Sequence, residues 1–149
     1  LKMDRQVFDT EHFMPILEKA VDFHGHLGPF LVVGVRAGLI GLRELQTRKE
    51  SLDVSATVLL TYSVPYSCVL DGIQVATGCT VGNQRLRFEN SSNLMIQFRS
   101  KAGRAVAISI LPEAVDELMR ELRKEFSSEE VAYKAASLAE EELFMVGPL

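Results

Sequence analysis

Apolar residues recur at helical spacing from about Thr10 to Phe23, with Phe13, Ile16, Leu17, Ala20 and Val21 on one face. Asp9 or Thr10 can cap the helix they predict. His24-Gly25-His26-Leu27-Gly28-Pro29 ends it, since Gly and Pro so closely spaced stop a helix, and Pro29 suits the first turn of the next. That second helix should run to about Gln46. Its first half, Phe30 to Val33 with Val35, is apolar all round, which marks a buried helix. Gly34 and Gly38 share one face. Glycine costs helix stability, so a close backbone approach is expected there as compensation. Arg36 is the only charge between His26 and Arg43, and in a buried helix it needs a partner or an anion.

The period then changes. Val54, Ala56, Val58, Leu60 and Tyr62 alternate with Ser55, Thr57, Leu59 and Thr61 and predict a strand that Pro65 ends. A short helix is expected from about Ser67 to Thr77, closed by Gly78. Three β runs follow: Arg85–Glu89, Leu94–Arg99 and Arg104–Ile110, with turns at Asn90–Asn93 and Lys101-Ala102-Gly103. They predict a three-stranded antiparallel meander joined by the 54–62 strand. Pro112 opens a helix with the stripe Val115, Leu118, Met119, Leu122 and Phe126. Ser127-x-x-Glu130 is a capping box for a last helix that turns Val131, Ala135, Leu138 and Leu143 inward. Helices, then strands, then helices indicate the α+β class: an antiparallel sheet of about four strands packed with N-terminal and C-terminal helices. No linker divides the chain, so residues 1–149 are expected to form a single domain.

Composition narrows the function classes. The 149 residues are 47% hydrophobic and 24% charged, enough for one core and incompatible with disorder. Sixteen basic against twenty acidic residues give a net charge of −4, which argues against a nucleic-acid binder. The stretch from Leu27 to Leu42 is broken by Arg36 and falls short of the roughly 20 apolar residues of a membrane span. The opening residues lead into no apolar stretch, so no export signal is expected. Two cysteines make no disulfide framework. Cys68 and Cys79 are therefore expected to be reduced thiols in a cytoplasmic protein.

Four groups of residues can carry chemistry. His24 and His26, separated by a flexible glycine between two helices, can converge on one ion. The alternative is that one caps the preceding helix and the other faces solvent. Cys68 or Cys79 would supply a thiolate, and one thiolate with two imidazoles leaves a zinc ion an open fourth position; equally, both can be buried structural cysteines. Asp71 lies one helical turn from Cys68 and can orient a ligating histidine or act as a general base. It can also simply favour the helix N-terminus electrostatically. Thr77-Gly78-Cys79-Thr80-Val81-Gly82-Asn83 offers backbone N–H groups and hydroxyls to an anion or polar substrate, or is a plain connection. No Gly-rich nucleotide motif and no G-x-S-x-G elbow is present.

Together these residues resemble a known family. Phe23-His24-Gly25-His26-Leu27-Gly28-Pro29-Phe30, then Gly34-x-Arg36, is similar to the N-terminal signature of the E subunit of tungsten or molybdenum formylmethanofuran dehydrogenase and its bacterial relatives. Cys68-x-x-Asp71-Gly72-Ile73-Gln74, then Thr77-Gly78-Cys79-Thr80-x-Gly82-Asn83, is similar to the second signature. The resemblance covers about residues 10 to 145. It implies an α+β core, a homodimer, and a possible place beside a larger oxidoreductase complex of methanogenesis-related one-carbon metabolism. It also makes a shared cavity the favoured reading: His24, His26 and Cys68 as metal ligands, Asp71 and Cys79 as candidate catalytic groups (Cys79 also as reserve ligand), and Arg36, Thr80 and Asn83 as candidate contacts to a small C1-related or pterin-like substrate. An internal salt bridge is an equal reading of Arg36. Mixed N/S ligands favour zinc, with nickel or iron as alternatives. The family often has Cys in place of Gly28, Gly in place of Phe30, and an added C-terminal zinc finger. A non-catalytic assembly subunit and a thiol redox sensor using Cys68 and Cys79 are the competing functions.

Overall fold

The structure, a computed structural model of the chain, describes residues 10–124 and 127–149. Asp9, offered as a helix cap, and Phe126, the last member of the predicted apolar stripe, lie outside the described residues. Helix α1 (Thr10–His24) is followed by α2 (Pro29–Leu45), β1 (Val54–Leu60), α3 (Cys68–Thr77), β2 (Leu86–Asn90), β3 (Met95–Ser100), β4 (Ala105–Ile110), α4 (Pro112–Arg123), α5 (Ser128–Ser137), the single turn α6 (Glu140–Leu143) and β5 (Phe144–Pro148). The fold is α+β, as expected, but the sheet differs in detail.

Helix α2 is the centre of the molecule, and its side chains from Pro29 to Gly38 are all buried. The all-apolar run leaves no face for water, and α1, α3, α5 and the sheet cover it. The glycine stripe does what its spacing predicts. A Cβ on Gly34 would lie 2.2 Å from the Val69 carbonyl oxygen, and one on Gly38 would lie 2.8 Å from the Ala76 Cβ. Gly72 answers from the other helix, where a Cβ would lie 2.4 Å from the Leu31 carbonyl oxygen. Helices α2 and α3 thus touch backbone to backbone.

The sheet has five strands in the order β2-β1-β3-β4-β5. The expected β2-β3-β4 meander does not form. β1 lies between β2 and β3 and pairs with β2 in parallel, Ala56 opposite Leu86, and with β3 antiparallel, Val58 opposite Ile96. The cause is α3: it returns the chain along the sheet, as a parallel pair requires of its connection. The antiparallel run is instead β1-β3-β4-β5. Leu138 caps α5 rather than extending it, and the chain then turns through α6 into β5, an edge strand with no forecast in the pattern. The capping box at Ser127 and Glu130 is formed. Lys134 ties α5 to α4 through Glu117 (2.9 Å) and Glu121.

Candidate functional site

The end of α1 meets the first turn of α3. His24 closes α1, and its Nδ1 lies 2.7 Å from Asp71 Oδ2. The other Asp71 oxygen accepts from Gln74 Nε2 at 3.2 Å, and Gln74 Oε1 accepts from the Val81 N–H at 3.1 Å. Both carboxylate oxygens are therefore engaged, and the α3 N-terminus adds favourable field. The contact engages Nδ1 and orients the ring, so Nε2 is the imidazole nitrogen left for another partner. Nε2 is buried and has no hydrogen-bond partner. A buried polar atom without a partner costs about 1–3 kcal/mol, a cost a ligand on Nε2 would remove.

His24 and Asp71 line a cavity of about 290 Å³ with Cys68, Gln74 and Ser67. Tyr62, Val64, Val81 and Phe88 form its rim. The Tyr62 and Phe88 rings stack with centroids 4.7 Å apart, and Tyr62 is 60% exposed. The alternation puts Tyr62 among the inward residues, but β1 ends at Leu60, so Tyr62 escapes the strand's period. Cys68 is half-buried at the first position of α3. Burial, and then the Asp71 charge, push its thiol above the ordinary value.

The other candidates go elsewhere. His26 is exposed and lies outside the cavity lining, its ring stacked on His24 at 4.7 Å between centroids and tilted 35°. Gly25 between them takes φ +107°, a conformation that favours glycine, with nothing within 4 Å of where a Cβ would sit. Among the described residues, no three His, Cys, Asp or Glu side chains converge closely enough to hold an ion. The structure thus brings His24, Cys68 and Asp71 to one cavity and leaves His26 outside. Cys79 is fully buried, its thiol donating to the Val54 carbonyl at 3.3 Å, and burial raises its pKa. Cys79 is not among the residues that line the His24–Asp71 cavity, and both thiols are free. Thr80 Oγ1 accepts from the Asn83 N–H, Asn83 Oδ1 accepts from the Thr80 and Arg85 N–H groups, and Asn83 Nδ2 donates to the Gly78 carbonyl. These side chains build the 78–85 loop and present Val81 to the rim. Arg36 is fully buried under α5, donating to the Ala135 carbonyl at 2.7 Å and lying 5.6 Å from the Phe144 ring centroid. Burial pushes its pKa down to about 10 against the pull of Glu140 and Glu142.

Sequence reasoning missed the aromatic rim and the role of Gln74. A polar residue three positions after Asp71 on a helix was the available signal for Gln74. Phe88 had none, because the exposed side of β2 follows from its edge position.

The Cys68–Asp71 proximity gives a chemical test. In metal-free protein, Asp71→Asn removes the charge that raises the Cys68 pKa, so the thiolate fraction and the rate of iodoacetamide alkylation at pH 8 should rise. Cys79 should stay unmodified until the protein unfolds. An unchanged or slower rate would show that the two groups do not share an electrostatic environment.

A profile of the family described as "FmdE, Molybdenum formylmethanofuran dehydrogenase operon" matches residues 23–145. A protein of Archaeoglobus fulgidus described as a probable S-adenosyl-L-methionine-binding protein is 33% identical over 115 residues, 76% of this chain. The match spans only 30% of that relative's length. The crystal structure of a tungsten formylmethanofuran dehydrogenase FmdE-like protein from Syntrophus aciditrophicus superposes with a TM-score of 0.58 at 19% identity, over 92% of this chain and 72% of that one. At that identity the superposition shows a shared fold.

Proposed function

The chain belongs to the FmdE family, and from that premise we propose that the His24–Asp71 cavity is a metal-dependent binding site for a small C1-related or pterin-like molecule. The observation that carries this reading is the buried, unpartnered Nε2 of His24, with Asp71 2.7 Å from Nδ1. Histidines that ligate a metal through one nitrogen characteristically donate from the other to a carboxylate, which fixes the ring and raises its basicity.

His24 would hold the ion, with His26 and Cys68 completing the set. The donor chemistry fits zinc, and nickel or iron share it. His26 would have to swing in from its place against the His24 ring to reach the same ion. Held by His24, His26 and Cys68, the ion would supply Lewis-acid chemistry toward a carbonyl or a water molecule. Asp71 holds the imidazole, and Gln74 holds Asp71. Tyr62 and Phe88 offer a flat apolar wall on which a planar ring can be oriented. That wall also admits a second reading, suggested by the name of the Archaeoglobus relative: stacking of an adenine ring. A cytoplasmic homodimer and a place in a larger oxidoreductase complex belong to the same reading, and the operon after which the family is named supports the second of them.

A Cys in place of Gly28 would not fit unchanged, because a Cβ there would lie 2.9 Å from Ser128 Oγ. Ser128 occupies that space and donates to the Leu27 carbonyl at 3.2 Å. The thiol's place is structurally filled, so the metal reading rests on Cys68.

Metal content tests the proposal. Protein purified without an affinity metal and incubated with excess zinc should retain one ion per chain after the unbound ion is removed. His24→Ala should lose it with the circular dichroism spectrum unchanged, and Asp71→Asn should weaken binding about 10–100-fold. Substoichiometric retention by the wild-type chain would overturn the reading.

A further inference from the structure

A second concavity, of about 610 Å³, runs between α1 and α5 on the side of α1 that carries Glu18 and Asp22. Both walls are helical. From α1 come Met14, Leu17 and Val21, and from α5 come Ala132, Tyr133 and Ala136, with Val32 of the central helix α2 below. On α1 the spacing is i, i+3, i+7 and on α5 it is i, i+1, i+4, so on each helix the residues lie on one face, as on a face that packs against another helix. Both helices pack on α2, and Leu17 and Ala132 are buried at the floor of the groove, while its upper walls are uncovered, with Met14 43% and Tyr133 58% exposed. Two neighbouring helices with matched apolar stripes over a third form the seat of a helix.

Charge selects the occupant. The groove is edged by Glu18, Asp22 and Glu129, and among the described residues no cation lines it. A second copy docked face to face about a two-fold axis would bring these carboxylates against their own kind, because such an interface pairs one patch with itself. The lysine on α5, Lys134, is already committed to Glu117 and Glu121. An anionic lipid surface meets the same repulsion.

We propose that the α1–α5 groove seats an amphipathic helix of a partner protein, with apolar residues at i, i+3/i+4 and i+7 flanked by Lys or Arg. Met14 to Val21 spans about two helical turns, which sets the length of the apolar face. The cations would meet Glu18 and Asp22 along one edge and Glu129 along the other. This surface is separate from the His24–Asp71 cavity, so the partner is recognised whether or not that cavity is filled. It supplies a docking element within the core domain itself.

The test uses a labelled peptide of about four helical turns with Leu on one face and Lys at the flanks, and a twin with Glu replacing Lys. Fluorescence anisotropy with the full chain should show saturable binding of the Lys peptide, weakening as salt rises, and about tenfold weaker binding of the Glu twin. The exposed-site double variant Glu18→Lys/Asp22→Lys should reverse that order, and Tyr133→Ser should weaken both. Equal binding of the two peptides, or an order the double variant leaves unchanged, overturns the proposal. So does a dimer of the free chain that dissociates on Tyr133→Asp, which would assign the groove to a second copy.

Discussion

Gly34→Val is expected to leave no folded protein at 25 °C. The added Cβ would fall 2.2 Å from the Val69 carbonyl oxygen and 2.9 Å from its carbon, and both obstacles are backbone. A side chain in the way can rotate; a helix can only move as a body. The reverse contact is as tight, with a Cβ on Gly72 placed 2.4 Å from the Leu31 oxygen and 2.6 Å from the Val35 nitrogen. Overpacking costs typically about 1–3 kcal/mol where neighbours can adjust; here backbone on both helices blocks adjustment, so the cost should exceed that range and approach the roughly 5–15 kcal/mol that a domain has to lose. Even Gly34→Ala should destabilise, although alanine in a helix is favoured by about 1 kcal/mol over glycine. The propensity gain and the clash have opposite signs, so urea unfolding of the alanine variant reads directly which is larger. Gly147→Ala is the control, since nothing lies within 4 Å of a Cβ there. A Gly34→Ala variant as stable as wild type would mean that the helices have slack. The consequence reaches the cavity, because α3 carries Asp71 and Cys68. A helix separation of about 1 Å would already take the His24–Asp71 contact out of hydrogen-bond range.

That crossing was legible in the sequence because it is a local signal. An all-apolar helix interrupted by Gly34 and Gly38 has few explanations besides burial and close approach. The Gly78 cap, at φ +75°, and the Ser127–Glu130 box were legible for the same reason: each is decided within four residues. Strand partners are not. The five residues of β2 are compatible with any neighbour, and what placed them beside β1 was the return path through α3. β5 carries Gly147 and Pro148, which depress any strand signal; an edge tolerates them. The site divides in the same way. That Asp71 shares a face with Cys68 follows from helical period, and that it reaches His24, 47 positions earlier, follows only from how α1 packs on α3. The direction of the His26 ring is set by a glycine turn, where period carries no information.

Arg36 separates a structural from a ligand-binding reading of the same residue. Its guanidinium is fully buried, donates to Ala135 at the end of α5, and lies under Phe144 of β5, so it joins the central helix to the C-terminal elements. Arg36→Ala should destabilise by about 3 kcal/mol, within the 2–5 kcal/mol range for truncating large buried side chains. It would also leave the Ala135 carbonyl without this donor. Arg36→Met fills most of the volume and removes a buried charge whose desolvation already depresses its pKa to about 10. Apolar replacement of buried charges is often neutral or stabilising, so the methionine variant should fold with a midpoint near or above wild type. The two variants share the loss of charge and differ in volume. If Arg36 held an anionic substrate group, both would lose ligand binding, and methionine would keep the fold without the function. The structure gives the opposite expectation: Arg36→Met should retain the zinc stoichiometry of the wild-type chain and its affinity for any ligand of the His24–Asp71 cavity, because the guanidinium is committed to α5 and takes no part in the lining of that cavity.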